Sequence, residues 1–223
     1  MPLSTYIFDA PAHAHLTPYL AALHGTCITH DHLIDVFLPP LNNDKLLAWW
    51  KSKIADTNLV IILLLNESEP GTRARGHELV GAALLRIPEA QTSPFRAIVD
   101  NILVLPRFRR QGGARTLIQA LQSQALCMSR PMLVSFFLFF ILCSVPFPRA
   151  ELLRDFPGLI VFSADTLCRN QTKTAGTEAG SVGEQVLKHF GFKEVGRIPN
   201  YAISPADHTK RDQTILCKDL LTS

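Results

Sequence analysis

Residues 104–121 read VLPRFRRQGGARTLIQAL, and this stretch decides the interpretation of the whole chain. An apolar run over 95–105 ends at a proline, and three arginines and two glycines follow before an apolar helical pattern begins. The pattern predicts a strand, a tight loop and a helix over 112–126. Glycines between a strand and a helix let bare backbone come close to whatever lies at the start of the helix.

The start of this predicted helix is suited to bind a phosphate group. The first four amides of a helix have no partner within it, and the peptide dipoles add partial positive charge there. Gly112 and Gly113 leave room for close approach, and Arg109, Arg110 and Arg115 match a negative charge. The plainer alternative is a glycine turn before a surface helix. The phosphate-loop pattern G-x-x-x-x-G-K-[ST] and the dinucleotide pattern G-x-G-x-x-G are both absent.

The overall composition is that of a globular protein with a core. The 223 residues are 47% apolar with a net charge of +3, which is too small to predict nucleic-acid binding. Five cysteines, an odd number without a C-x-x-C pair, predict reduced thiols. The start lacks a secretory pattern, so we expect a cytoplasmic protein. Histidines at 13, 15, 30 and 32 have no further ligand at metal spacing, and no metal is predicted.

Helix and strand signals alternate along the chain without an internal repeat. Helical segments are predicted at 18–26, 31–41, 42–55, 112–126 and 182–192. Strands are predicted at 58–66, 78–87, 95–105, 157–166, 192–202 and 213–220. This order indicates a mixed α/β or α+β fold with one core.

Residues 127–156 interrupt this pattern. The part from 132 to 145 has only two polar residues, and it is shorter than the about 20 apolar residues that a membrane span needs. A long apolar connection is unusual inside a domain. We therefore expect a single domain over 1–223 with an anomalous hydrophobic insertion at about 127–156. Translation of a retained intron is one explanation. A membrane contact is expected only if 132–145 is exposed.

The predicted loop resembles the coenzyme-A loop of the GNAT acetyltransferase superfamily. In that family V-x-P-x-x-R-x-x-G-x-[GA] follows a strand, and the matching residues here are Val104, Pro106, Arg109, Gly112 and Ala114. A second segment, EAGSVGEQVLKHFGFKEVGRIPNYAISP at 178–205, is similar to the last third of tabtoxin-resistance-type acetyltransferases. The resemblance covers about 78–126 and 157–220.

The resemblance implies a fold, a co-substrate and an activity. The fold is a mostly antiparallel twisted sheet with a central parallel strand pair splayed apart and helices on both faces. The co-substrate is acetyl-CoA, with no metal, and the activity is transfer of the acetyl group to an amine of a small molecule. The residues expected to bind the coenzyme are Leu103, Val104, Leu105, Arg109, Arg110, Gln111, Gly112, Gly113, Ala114 and Arg115.

Two carboxylates are the candidates for proton transfer. Asp165 matches an aspartate of the family at a strand end. Asp100 lies two residues beyond Ile98, where relatives often carry a glutamate, and alternation puts Asp100 and Ile98 on one face of the strand. Asp100 either takes over that role or faces solvent.

Three further positions concern the acceptor and the leaving group. Trp50 and Tyr201 are the candidate substrate-binding residues. Leu187 stands where the family often has a tyrosine that protonates the departing sulfur. This departure leaves open a catalytically impaired coenzyme-binding protein as an alternative. A protein or peptide N-acetyltransferase is another, because the acceptor is the least determined part, and the oligomeric state is open.

Overall fold

Eight strands form one sheet in the part of the chain that the structure describes. The computed structural model describes residues 3–31, 33, 36–67, 75–135 and 177–221, which belong to one compact unit. The strands are β1 (Leu3–Ile7), β2 (Leu59–Asn66), β3 (Leu79–Arg86), β4 (Arg96–Val104), β5 (Met132–Ser135), β6 (Thr177–Glu178), β7 (Lys193–Ile203) and β8 (Lys210–Asp219). Their spatial order is β1-β2-β3-β4-β5-β8-β6, and β7 also pairs with β8.

Five helices accompany the sheet in the described residues. They are α1 (Ala10–His13), α2 (Thr17–Asp31), α3 (Asn43–Ile54), α4 (Gly113–Cys127) and α5 (Val182–His189). The Asn42 side chain caps α3 by accepting a hydrogen bond from the Lys45 amide at 3.0 Å. None of the described helices is long and apolar enough to cross a membrane.

Helices cover both faces of the sheet because its strands are apolar on both sides. Leu63 and Leu65 of β2 belong to one buried cluster with residues of α2 and α3. Ile62 and Leu64 belong to a second cluster with residues of α4 and α5. Successive side chains of a strand point to opposite faces, so the two clusters lie on opposite sides of the sheet.

The fold class expected from the sequence is confirmed. The sheet is mostly antiparallel, and its parallel pair is formed by β4 and β5. Pairing between them is limited to Arg96–Ile98 against Met132–Val134, whereas β4 continues to Val104. One extra residue in β4 shifts its register against β3 between Val99 and Ile102. Such a bulge bends a strand, and it comes directly after the last residue of β4 that pairs with β5 in the described part of the chain.

Other expectations differ from the structure. The parallel partner of β4 was expected at 157–166, but Met132–Ser135, inside the expected insertion, takes this position. Hydrogen bonds from the Met132 amide to the Phe95 carbonyl and from the Leu220 amide to the Pro131 carbonyl hold it there. The segment 157–166 and the rest of the insertion beyond residue 135 lie outside the described residues.

The N-terminal part is also simpler than expected. The helical piece at 18–26 is the middle of α2, whereas the described residues of 33–41 hold no helix, because the proline pair at 39–40 cannot continue one. The sequence pattern missed β1, a short edge strand without clear alternation.

A buried carboxylate fixes the start of α5 to β8. The Ser181 hydroxyl caps the helix by accepting from the Glu184 amide, and the Glu184 carboxylate accepts from the Gly180 amide at 2.6 Å. The same carboxylate accepts from the Thr214 hydroxyl at 3.2 Å and pairs with Lys188 at 2.6 Å. Burial alone would raise the pKa of Glu184, but the hydrogen bonds from Lys188 and Gly180 outweigh it and hold the pKa below its ordinary value.

We expect Glu184→Gln to lower the free energy of unfolding at pH 7 by about 1–3 kcal/mol, because charged hydrogen bonds in a buried place are lost. The native pKa is below the unfolded value of about 4.5, so the ionised carboxylate stabilises the fold above that pH. This contribution disappears as the pH falls through the native pKa. Urea denaturation of both proteins from pH 7 to pH 3, where the fold permits, measures the difference.

Glu194→Gln is the matched control. Glu194 pairs with the same Lys188 at 2.7 Å, but its side chain is 34% exposed. Exposed pairs contribute little, so we expect a loss below about 1 kcal/mol at every pH. Equal losses for the two variants would contradict the anchoring role of Glu184.

Candidate functional site

The far end of β4 has one open edge. Leu105 donates its amide to the Val80 carbonyl at 2.9 Å, on the β3 side. In an antiparallel pair, successive residues direct their backbone groups to alternate sides, so Ile102 and Val104 direct theirs away from β3. Because β5 pairs with β4 only as far as Ile98, this side of β4 has no β5 partner in the described residues.

The loop after β4 turns sharply into α4. A short 3-10 turn, Pro106–Phe108, is followed by Arg109 in an extended conformation. Arg110 has a φ of 56° and Gly112 a φ of 89°, and both are left-handed. The Gly112 position favours glycine for this reason. A Cβ on Gly113 would lie 3.2 Å from Val104 Cγ1, so the missing side chain lets α4 pack directly on β4.

The start of α4 presents a row of backbone amides to the surface. The first hydrogen bond that returns to the helix runs from the Thr116 amide to the Gly112 carbonyl at 2.9 Å. Within the described residues, none of the amides of residues 110–115 donates to a backbone carbonyl. A Cβ on Gly112 would have no atom within 4 Å, so the space beside this residue is open. The start of α4 therefore remains the candidate anion site.

The arginines around this cradle divide into two groups. Arg107, Arg110 and Arg115 are exposed at the surface. Arg109 points inward, and its Nε and Nη2 donate to the Val104 carbonyl at 3.2 and 2.9 Å. Gln111 lies in the loop and donates to the Arg107 carbonyl at 2.8 Å. Positive charge beside the open amides therefore comes from the exposed arginines.

The backbone contacts expected of Leu103 and Leu105 need correction. The Leu105 amide is used by β3, and the Leu103 carbonyl lies 2.8 Å from where a Cβ of Gly81 on β3 would be. Neither residue offers these groups to the open edge. Val104 does face that edge, and so does Ile102, which the sequence interpretation missed. Period-two alternation counted back from Val104 would have identified Ile102.

Asp100 is buried in a network of charges and does not face solvent. Its carboxylate accepts from Arg86 Nη2 at 2.9 Å and Nε at 3.2 Å, and Lys53 Nζ lies 3.6 Å away. Arg86 also contacts Asp56 at 3.0 Å. Burial alone would lower the pKa of Arg86, but Asp100 and Asp56 outweigh it and raise that pKa. The geometry favours a role for Asp100 in joining β3, β4 and α3.

The aromatic candidates lie in different surroundings. Trp50 is fully buried between α2 and α3, with Trp49 5.2 Å away and His24 6.0 Å away. A ring without exposed surface cannot form the wall of an open pocket, so the structure corrects this expectation. Trp49 is partly exposed, and Lys53 Nζ lies 4.9 Å from its ring centre. Tyr201, on β7, is half-buried.

Leu187 and Asp165 complete the predicted positions. Leu187 is 4% exposed and packs in the apolar cluster around α4 and α5. Its side chain has no proton to donate. Asp165 lies outside the described residues.

A shallow cavity of about 400 Å³ lies elsewhere, between β1 and α4. Its lining contains no residue of β4, β5 or the loop between β4 and α4. The anion cradle and the open edge of β4 are therefore the candidate functional site.

The Acetyltransferase (GNAT) family is the family whose model matches this sequence, over residues 33–132. The match spans fewer than half of the 223 residues, but it includes β2, β3, β4, the cradle loop and α4. No curated protein sequence matches the chain. The similarity to this family is therefore shown for the segment that contains the cradle loop.

Solved structures with the same fold are distant in sequence. The yncA protein of Salmonella typhimurium, a proposed acetyltransferase solved with its cofactor acetyl-CoA, has a TM-score of 0.59 at 14% identity, with 99% of this chain and 95% of that chain covered. A proposed phosphinothricin N-acetyltransferase has a TM-score of 0.63 at 12% identity, with coverages of 98% and 99%. The ribosomal-protein-S18-alanine N-acetyltransferase of Escherichia coli has a TM-score of 0.55 at 14% identity, with 98% of this chain and 94% of that chain covered. At these identities the likeness shows the fold alone.

We expect Asp100→Asn to lower the free energy of unfolding by about 3–5 kcal/mol, because it leaves Arg86 and Lys53 buried without the opposing charge. Urea denaturation measures the change. Asp56→Asn is the matched control, since Asp56 contacts the same guanidinium with a side chain that is 32% exposed. Its expected loss is about 0–1 kcal/mol. Similar losses for both variants would mean that the buried pair does not hold the strands together.

Proposed function

We propose that this protein is a GNAT acetyltransferase that transfers the acetyl group of acetyl-CoA to an amine of a small molecule. The observation that carries the proposal is the group of amides at the start of α4 that have no backbone acceptor among the described residues, beside the part of β4 that has no β5 partner there. Coenzyme A has an anionic pyrophosphate and a pantetheine arm that contains amides. The helix start can bind the pyrophosphate, and the strand edge can pair with the amides of the arm.

The coenzyme would be held at two places. The amides from Arg110 to Arg115, with the side chains of Arg110 and Arg115, would hold its pyrophosphate. Gly112 leaves open space beside this place, and Gly113 lets the start of α4 pack closely on β4. Backbone groups of Ile102 and Val104 on the open edge would pair with the amides of the pantetheine arm in the way that a neighbouring strand does.

The proposed reaction is a direct transfer. Acetyl-CoA supplies an activated thioester carbonyl, at which a new C–N bond to the amine forms and the C–S bond breaks. The amine must lose a proton, and Asp165 is the proposed base, directly or through water. Asp100 is not proposed as the base, since its carboxylate is held by Arg86. The departing thiolate would take its proton from water, because Leu187 cannot donate one.

The acceptor is proposed from the C-terminal motif. The segment 178–205 resembles tabtoxin-resistance-type enzymes, which act on small molecules, and Tyr201 in it is a proposed wall of the acceptor site. Structures of this fold include a proposed phosphinothricin N-acetyltransferase and a ribosomal-protein-S18-alanine N-acetyltransferase. A protein or peptide acceptor is therefore the competing proposal. The test is thiol release from acetyl-CoA over matched panels of small amines and peptides with free N-termini.

A coenzyme-binding protein without catalysis is the second candidate. The buried Leu187 favours it, because the position of the expected proton donor is part of the core. Coenzyme A binding without thiol release on any amine or peptide would select this candidate. Thiol release, with a mass gain of one acetyl group on the amine, would exclude it.

The proposal extends to the whole chain and its place in the cell. We propose one domain over 1–223, with the insertion at about 127–156 contributing β5 at its start. A cytoplasmic location is proposed because acetyl-CoA is made and used there and the cysteines are those of a reduced protein.

We expect Gly112→Ala to weaken coenzyme A binding about tenfold or more, because the new methyl group lies in the open space in front of the amides and strains a φ of 89°. Isothermal titration calorimetry with coenzyme A measures the dissociation constant.

Gly191→Ala is the control that separates backbone strain from the effect of a methyl group in the cradle. Gly191 has a φ of 82° at the end of α5, and its new Cβ would make only ordinary contact with Lys218 at 3.7 Å. It should lose similar stability and keep wild-type affinity. Undiminished affinity in Gly112→Ala, or an equal loss in both variants, would count against the cradle.

A further inference from the structure

The Arg109 side chain is directed back to the strand that precedes it, and away from the cradle. Its Nε and Nη2 both donate to the single carbonyl oxygen of Val104, at 3.2 and 2.9 Å. Two donors of a charged guanidinium on one acceptor make a strong and geometrically specific contact. Arg109 is partly buried, unlike the exposed Arg107, Arg110 and Arg115 around it.

The acceptor of these hydrogen bonds lies on the open edge of β4. The Val104 carbonyl points away from β3, to the side of β4 on which β5 lies. A carbonyl without a partner in a partly buried place costs free energy, and Arg109 supplies that partner from within the chain. Cys27 Sγ is 3.9 Å from the same oxygen, a much weaker donor.

The hydrogen bonds from the Arg109 side chain to the Val104 carbonyl close the segment 104–109 into a ring. Inside the ring, the Phe108 amide donates to the Leu105 carbonyl at 2.9 Å and the Arg109 amide to the Pro106 carbonyl at 3.2 Å. The chain leaves this ring at Arg110, which has a left-handed φ of 56°. The ring therefore lies directly before the residues of the cradle.

We infer that Arg109 is a positioning residue, which orders the anion cradle through the Val104 carbonyl, while Arg110 and Arg115 supply the charge that meets the anion. The inference rests on the proposed function for the identity of the anion, the pyrophosphate of coenzyme A. It changes the role expected of Arg109 from the sequence, where Arg109, Arg110 and Arg115 were all expected to bind the coenzyme.

Charge and geometry can be separated by conservative variants. Arg109→Lys keeps the charge but loses the planar fork that places two donors on one oxygen. Arg109→Gln loses the charge as well. Arg110→Gln removes the same charge from an exposed neighbour with no hydrogen bond to Val104. Arg211→Gln removes one charge from the β7–β8 region, where Arg211 pairs with Asp207 at 2.6 Å, and controls for net charge.

The first measurement needs no ligand. Hydrogen exchange of the free protein, followed by mass spectrometry of peptides that cover 103–112, reports how ordered the ring is. We expect about tenfold faster exchange in Arg109→Gln and Arg109→Lys, and wild-type exchange in Arg110→Gln and Arg211→Gln. Unchanged exchange in both Arg109 variants overturns the inference, whether or not the protein binds coenzyme A.

The second measurement is the dissociation constant of coenzyme A at about 20, 100 and 300 mM salt. Over this range the distance at which salt screens charges falls from about 20 to about 6 Å. Both Arg109 variants should bind about tenfold more weakly at every salt concentration, with the wild-type salt dependence. Arg110→Gln should bind more weakly at low salt and lose part of the dependence. Wild-type affinity in Arg109→Lys would mean that Arg109 acts by its charge, and would overturn the inference.

The two proposals fail in different ways. No binding of coenzyme A by the wild-type protein overturns the proposed function and the anion assigned to the cradle. The exchange experiment then decides by itself whether Arg109 orders the loop.

Discussion

The hydrogen-bonding requirement of the β4 backbone is the constraint on which the rest of the structure depends. Each strand inside a sheet must satisfy its amides and carbonyls on two sides, and within the described residues β4 pairs with β5 only as far as Ile98. Further along β4, the Arg109 guanidinium donates to the Val104 carbonyl from within the chain. We propose that a ligand with its own amides completes the rest of this edge. The bulge in β4 comes directly after its last pair with β5.

Charge has two separate tasks in this protein. Arg86, Asp100 and Lys53 are buried together, and their charges serve the contact between β3, β4 and α3. Arg110 and Arg115 are exposed, and their charges remain available to an anion. Arg109 differs from both groups, since it is partly buried and donates two hydrogen bonds to the neutral Val104 carbonyl. Counting basic residues near a loop therefore overestimates how many of them contact a ligand.

The sequence allowed the sheet and the cradle to be predicted because their signals are local. The apolar runs of β2 and β3 and the Gly112–Gly113 pair each depend on neighbours within a few residues. The direction of Arg109 was not predictable, because a long side chain reaches either a ligand or its own strand without a change in the pattern. The pairing of Asp100 with Arg86 depends on the register between β3 and β4, which neither strand reveals alone. Whether Trp49 or Trp50 enters the core depends on the exact rotation of α3.

The position of β5 could not be predicted from the sequence for a different reason. Residues 132–135 and 157–166 are both apolar runs with strand-forming residues, and local propensity does not decide which of them pairs with β4. A resemblance to a family selects the run that best matches the motif. In the described structure Met132–Ser135 pairs with β4, and hydrogen bonds with Phe95 and Leu220 hold the start of this strand.

β5 also links parts of the chain that are made at different times. One neighbour, Arg96–Ile98, precedes it closely, whereas the other, Leu216–Asp219, follows it by about 80 residues. During synthesis on the ribosome, β1 to β5 emerge first, and the far side of β5 has no β8 to pair with. An apolar strand with an unsatisfied edge is the kind of surface that chaperones bind and that neighbouring nascent chains can capture. The pairing of β5 is therefore incomplete until β8 has been made.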